Sequence, residues 1–376
     1  MRIAAPSALR LAAAVSCLAL LGLSGCRITP MAPAGPPAQL DHAAPSQHLA
    51  RLWLKPGSFR EVNLVSVDKD LLYVAGTPRG LEAVDVANGL TRWYHVGKYP
   101  VNRIPTVMED AVYLDEGGQM VQLDRETGLE TLRTRTKAGM LTPVYPSEHS
   151  WVAAAGDDRV YGLSPENGIR LWRVQVGGYV IGSDWDGATA FFVNNVGQVH
   201  AVHLATRALA WTHSLRKPSC SPPTVAGDRV LVGSEDYYLY CLNARNGIEE
   251  WRMVVSSPAL KRPVVARDTA YVQTEDGVLH AIDMTGPKEL WAIQNGGRVL
   301  TTSSARVIFV RPGIPDMIVV ADRATGEILS EVTARQYGHY MADPEAGVFY
   351  AVSVQGAVLA IADRDVAATL RAEPKP

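Results

Sequence analysis

Short apolar runs bounded by polar or glycine-containing turns recur along the whole chain, as in Leu71-Leu72-Tyr73-Val74, Ala190-Phe191-Phe192-Val193 and Ala270-Tyr271-Val272. Runs this short, and this rich in β-branched and aromatic residues, predict strands. Another strand is often entered through proline just upstream, as in Pro105-Thr106-Val107, Pro223-Thr224-Val225 and Pro263-Val264-Val265. Downstream comes a hairpin written in columns. Asp85, Asp124, Asp283 and Asp322 end one strand, with Ser164, His203 and Asn243 in the same column, and Gly89, Gly128, Gly168, Gly247 and Gly326 follow four residues later. An Asp or Asn can accept hydrogen bonds from the next backbone amides and a Gly supplies positive φ, so each pair predicts a tight turn. Eight residues after the Asp column stands a tryptophan.

The tryptophans give the period. Trp53, Trp93, Trp172, Trp211, Trp251 and Trp291 are 40, 79, 39, 40 and 40 residues apart, Leu132 fills the gap, and Ser330 and Leu370 continue the spacing. Two residues before the Asp column the side chain is mostly small (Ala83, Gly162, Ala201, Cys241, Ala281, Ala360), with Gln122 and Val320 the exceptions. Each period therefore holds four short antiparallel strands. The predicted fold is all-β, an eight-bladed β-propeller of four-stranded antiparallel blades over residues 49–372. The last unit has a degraded fourth strand, so Arg51-Leu52-Trp53-Leu54 is expected to complete it and close the ring without a covalent bond. A seven-bladed ring with one stray unit is the alternative.

The N-terminus reads as a processing segment. Arg2 and Arg10 flank an apolar run from Leu11 to Leu23, too short to span a bilayer comfortably, and the run ends in Leu23-Ser24-Gly25-Cys26. This resembles a bacterial lipobox. The resemblance implies removal of residues 1–25 and acylation of Cys26 on its thiol and amine, palmitate-type chains then holding the protein on a membrane. An ordinary signal peptide cut nearby is the alternative. Residue 27 is Arg rather than Asp, which by the sorting pattern of lipoproteins implies the outer membrane. From 26 to 48 the chain is rich in Pro and Ala and reads as a tether, reaching at most roughly 70 Å.

The segment Ala281-Ile282-Asp283 ending in Trp291, and Cys241-Leu242-Asn243 running through Gly247 to Trp251, resemble the tryptophan repeat of quinoprotein-type (PQQ-like repeat) propellers. Glu126-Thr127-Gly128 and Ala324-Thr325-Gly326 resemble its turn. With the lipobox, the eight units and the closing strand, the chain is similar to the BamB family of propeller lipoproteins of the outer-membrane β-barrel assembly machinery. That resemblance implies a non-enzymatic scaffold facing the periplasm, whose partner is an envelope protein, a barrel-assembly component being the candidate. In that family the partner loop follows the fourth strand of the third blade and carries a Leu/Arg-rich motif. The corresponding stretch here, 176–187, has no Arg. It carries Tyr179 and Trp185, off the repeat columns, as candidate partner-binding residues on a connection.

Composition and motifs narrow the chemistry. The chain has 376 residues, is 47% hydrophobic and 20% charged, and has a formal net charge of −2, which suits a globular protein and gives no electrostatic footprint for nucleic acid. A quinone-dependent enzyme is the catalytic alternative. It would need Ca²⁺ ligands, a carboxylate base and, in the alcohol dehydrogenases, vicinal cysteines; no cofactor is expected, PQQ included. A propeller binding envelope polysaccharide is a further alternative. Asp184-Trp185-Asp186-Gly187 lacks the remaining oxygen positions of a calcium loop and reads as a turn. His200 and His203, three apart on a strand, point to opposite faces and do not predict a zinc pair. His200 and His280 share a column with Tyr161 and Tyr240, which reads as packing between blades. Cys220 and Cys241 fall on first and third strands of one unit, an arrangement that disfavours a disulfide.

Overall fold

Eight sheets follow one another along the chain, each built on an antiparallel meander of successive strands, and the last two each add one strand from the N-terminal part of the chain. The computed structural model describes residues 38–39, 45–101, 103–135, 142–219 and 221–372. Blades 1 to 7 occupy residues 61–96, 106–135, 145–175, 180–214, 224–254, 264–293 and 298–333. Blade 8 takes three strands from 337–363 and its outer strand from Leu49–Lys55, paired antiparallel with Val358–Asp363. First strands touch from blade 4 through blades 5, 6 and 7 to blade 8, and from blade 8 to blade 1, so they line an axis and the two ends of the repeat meet. The eight-bladed architecture and the N-terminal closing strand are as the repeat predicts. Second and third strands are buried on both faces, because each blade is sandwiched between two others; this is why they read as continuous apolar runs.

The tryptophan column forms the clasps between blades. The indole Nε1–H of Trp53, on the outer strand of blade 8, donates to the Val86 carbonyl in the turn of blade 1 at 2.9 Å. Trp93 does the same to Arg125 at 2.8 Å, Trp211 to Ala244 at 2.8 Å and Trp291 to Arg323 at 2.9 Å, each reaching the next blade. The glycine of that turn lies flat on the ring: a Cβ on Gly89, Gly128, Gly247 or Gly326 would come within 2.8 Å of indole carbons. These glycines also have φ between +69° and +76°, so the position demands Gly twice over. Where the next turn has no glycine at the column position the clasp is missing. Trp172 faces the turn of Arg207 and bonds Ser150 of its own blade at 3.4 Å, while Trp251 faces the turn of Pro287 and its indole nitrogen has no partner among the described residues. At Leu132, Thr134 substitutes: its hydroxyl donates to the Pro165 carbonyl in the next turn at 2.8 Å, beside Gly168.

The small column has its reason here too. Ala83, Gly162, Ala201, Cys241, Ala281 and Ala360 each sit directly opposite the tryptophan of their blade, and a Cβ on Gly162 would lie 2.1 Å from the Trp172 ring. Gln122 and Val320, the exceptions, stand opposite Leu132 and Ser330. A register shift, a β-bulge, accompanies the column in every blade, as at Ala83/Val84 and Ala281/Ile282.

Three features depart from the sequence reading. Leu370 lies on a helix, Arg364–Ala372, and not on a vestigial strand; Asp363 caps it by accepting from the Asp365 amide at 2.9 Å. Ala38–Gln39, inside the stretch read as tether, pairs in parallel with blade 7 as a fifth strand. The segment 177–187, read as a connection, is largely a strand: Val180–Trp185 is the first strand of blade 4. Cys26 and Cys220 lie outside the described residues, whereas Cys241 is buried with a free thiol, whose pKa burial pushes up to about 12.

Candidate functional site

A four-stranded meander puts its turns alternately at two ends. Turns between second and third strands, and the connections between blades, share one face of the disc; the remaining turns share the other. On the first face Tyr179 lies in the connection into blade 4, Val196 in the turn of blade 4 and Tyr237 in the turn of blade 5; they are 54%, 53% and 50% exposed. The backbone joins them into one surface. The Asn195 amide donates to the Tyr179 carbonyl at 3.0 Å, the Leu215 amide to Gly197 at 2.8 Å, and the Glu235 amide to Pro218 at 3.0 Å. Trp185 is separate from this surface: it packs on the Tyr145 ring with centroids 5.2 Å apart.

Tyr237 is the unusual member. Its φ is +68°, at the turn position that Gly118, Gly197, Gly277 and Gly356 fill in other blades with φ of +80° to +82°. A bulky side chain in the left-handed region costs about 1–2 kcal/mol relative to an ordinary conformation. Neither Tyr237 nor Val196 was singled out from sequence; the signal was available, since a tyrosine interrupts a glycine column of the same 40-residue period.

The axis carries the other candidate. An open hollow of about 340 Å³ is shared by the first strands of blades 1 to 4, and one of about 600 Å³ lies against blades 5, 6 and 8; Asp184 and Arg262 line both. The Arg262 guanidinium meets Asp184 at 3.0 Å and donates to the Ser183 carbonyl at 2.7 Å, while the Val225 amide donates to the same carboxylate at 2.9 Å. Asp184 therefore ties blades 4 and 5 to the entry of blade 6. Burial raises its pKa, against the opposing pull of Arg262 and the Val225 amide. Asp68, at the other side of the smaller hollow, is ion-paired to Arg125 at 3.4 Å.

The histidines serve packing and turns. His200 is buried, bonded to Thr212 at 3.0 Å and Asn194 at 3.4 Å, and burial lowers its pKa. His203 accepts from the Thr206 amide at 3.3 Å inside its turn, well apart in role from His200. His280 is bonded to Ser256 and Glu289, and Tyr240 to Asp236 at 2.5 Å, so this column is held within each blade as well as packed between blades. Asp186 accepts from the amides of Ala188 and Thr189, the turn expected there. Among the described residues no three His, Cys, Asp or Glu side chains are grouped to hold a metal ion.

The family described as outer membrane protein assembly factor BamB matches residues 79–191 and 195–365. No curated protein sequence matches the chain. Among solved structures, the crystal structure of BamB from Moraxella catarrhalis superposes with a TM-score of 0.66 at 16% identity, over 84% of this chain and 98% of that one. A computationally designed protein, Ika8, superposes with a TM-score of 0.65 at 14% identity, over 83% of this chain and 99% of its own. At these identities the likeness is one of fold.

Proposed function

Because the chain belongs to the family of outer membrane protein assembly factor BamB, we propose that it is a non-catalytic propeller scaffold for outer-membrane β-barrel assembly. It docks an envelope protein, a barrel-assembly component being the candidate, and is held at the periplasmic side of the outer membrane by lipid on Cys26. The observation that carries the docking surface is Tyr237, an exposed aromatic kept in a left-handed conformation at a turn position that four other blades fill with glycine and blade 3 with Asp158. Strain of this kind persists where a side chain is used. Tyr179 and Val196 extend the surface across the rim of blades 4 and 5, and exposed tyrosines on rigid turns are effective interface anchors. In this reading Trp185 supports the surface from below, by fixing the first strand of blade 4 against Tyr145. The non-catalytic reading is supported by the axis, where Asp68 and Asp184 are both committed to arginines.

The test separates folding from binding. Tyr237→Gly restores the repeat's own residue, so the Tyr179→Ala, Tyr237→Gly double variant is expected to melt no lower than wild type. Crosslinking in membranes should capture a barrel-assembly component with wild type and much less of it with the variant. A folded variant that keeps every partner would remove the surface; a wild type that captures no barrel-assembly protein would remove the assembly role. Cys26→Ala should leave the membrane fraction on envelope fractionation, and its retention there would overturn the anchor.

A further inference from the structure

The junction between blades 7 and 8 lacks the common clasp. Its column residue is Ser330, opposite the branched Val320, so no indole spans from blade 7 to blade 8. Residues from the start of the described chain take that place. Leu49 is fully buried among Ile308, Ile318 and Val332 of blade 7 and Phe349, Leu359 and Ile361 of blade 8. Just before it, the Ser330 hydroxyl donates to the Ser46 hydroxyl at 3.3 Å. The Arg364 amide donates to the His48 carbonyl at 2.9 Å, and its guanidinium to the Ser46 carbonyl at 3.2 Å. Pro45 is buried. Further upstream, Ala38 and Gln39 lie beside Val332 and Thr333, the one parallel pairing in these sheets among the described residues.

We propose that the outer edge of blade 7 is a strand-accepting site whose occupant is this chain's own N-terminal segment. Residues 38–39 and 45–49 act as a latch that substitutes for the missing tryptophan. An open sheet edge presents unpaired amides and carbonyls to any passing strand, and a short parallel strand covers them. The pairing is specific to blade 7 because its column residue is small: an indole at position 330 would claim the space beside Ser46 that the segment uses. The latch stands on these contacts alone and is independent of the lipid on Cys26 and of any partner on the face of blades 4 and 5.

Hydrogen–deuterium exchange on the full chain tests it with two variants. Gln39→Pro removes a strand amide and fixes φ, which disfavours the pairing. The outward-pointing amides of 330–334 should then exchange at least about tenfold faster, with blades 2 to 6 unchanged. Ser330→Trp made together with Val320→Ala, which installs the pair used at other junctions, should expel the segment and speed exchange across 45–49 while the variant keeps its cooperative melt. Equal protection of 330–334 in wild type and Gln39→Pro overturns the strand site. Unchanged exchange of 45–49 in a folded Ser330→Trp, Val320→Ala protein overturns the substitution for tryptophan.

Discussion

Gly128 shows how much one position carries. It must hold φ at +69° and also let the Trp93 ring approach to 2.5 Å of where a Cβ would stand. Gly128→Ala should therefore combine a left-handed penalty with overpacking and lower stability by about 2–4 kcal/mol, read from urea midpoints. A neutral effect would mean that the turn does not bear on the indole. Glu116 gives the pH counterpart. It is fully buried, bonded to His95 at 2.8 Å and Arg133 at 2.9 Å. Burial raises its pKa, but the bonds from His95 and Arg133 outweigh this and hold it below its ordinary value of 4.5. A carboxylate with a depressed folded pKa contributes stability above the unfolded value and loses it as pH falls toward the folded one. Stability should thus fall below about pH 4.5, and Glu116→Gln should flatten that acid limb in a series of melts. The columns of Asp, Gly and Trp were legible because each has a local cause. The link between them was not, since nothing local says that the glycine of one unit touches the tryptophan of the unit before.

At the scale of elements, the second and third strands announced themselves as apolar runs, whereas a first strand such as Thr106–Val107 is two residues long and visible only by its proline. The C-terminal helix was hidden by the repeat itself: Leu370 falls on the period, while the Asp363 cap and the Ala-rich run after it obey helix rules. Asp363 does more than cap. Its fully buried carboxylate meets Arg306 of blade 7 at 2.7 Å and accepts from Ser303 at 3.0 Å, so it ties blade 7 to the helix at the junction where Ser330 stands in the tryptophan column. Without Asp363, Arg306 keeps its exposed second partner Asp365 at 2.9 Å, while Ser303 and the first turn of the helix lose theirs. Asp363→Ala should cost about 1–3 kcal/mol and loosen residues 364–372 in exchange experiments. A loss under about 1 kcal/mol would show that the pair is replaceable by water.

For the whole molecule, the period alone implied a closed ring, because eight equal units bring the ends to equivalent places. Closure by Leu49–Lys55 follows from the absence of a fourth strand after Asp363. Deleting 49–55 should lower the melting temperature substantially and expose Val358–Asp363 to exchange, and a synthetic peptide of that sequence should restore part of both. No change on deletion would contradict the seam. The proposed docking surface was only half legible: Tyr179 stood off the columns, but Tyr237 occupies a glycine column that becomes meaningful once its turn is known to be left-handed.

The seam also decides how the disc bears a load. A pull on the N-terminus meets the edge of blade 7 first and then reaches Leu49, at the end of the closing strand that lies opposite Asp363. From there it peels one residue pair after another toward Lys55, instead of loading all of them together. Trp53, hooked on Val86 of blade 1, stands in the middle of that path as a stop. Blades 2 to 6 are each continuous in the chain and lie off it. Under such a pull the seam is expected to open before the blades that lie off the path.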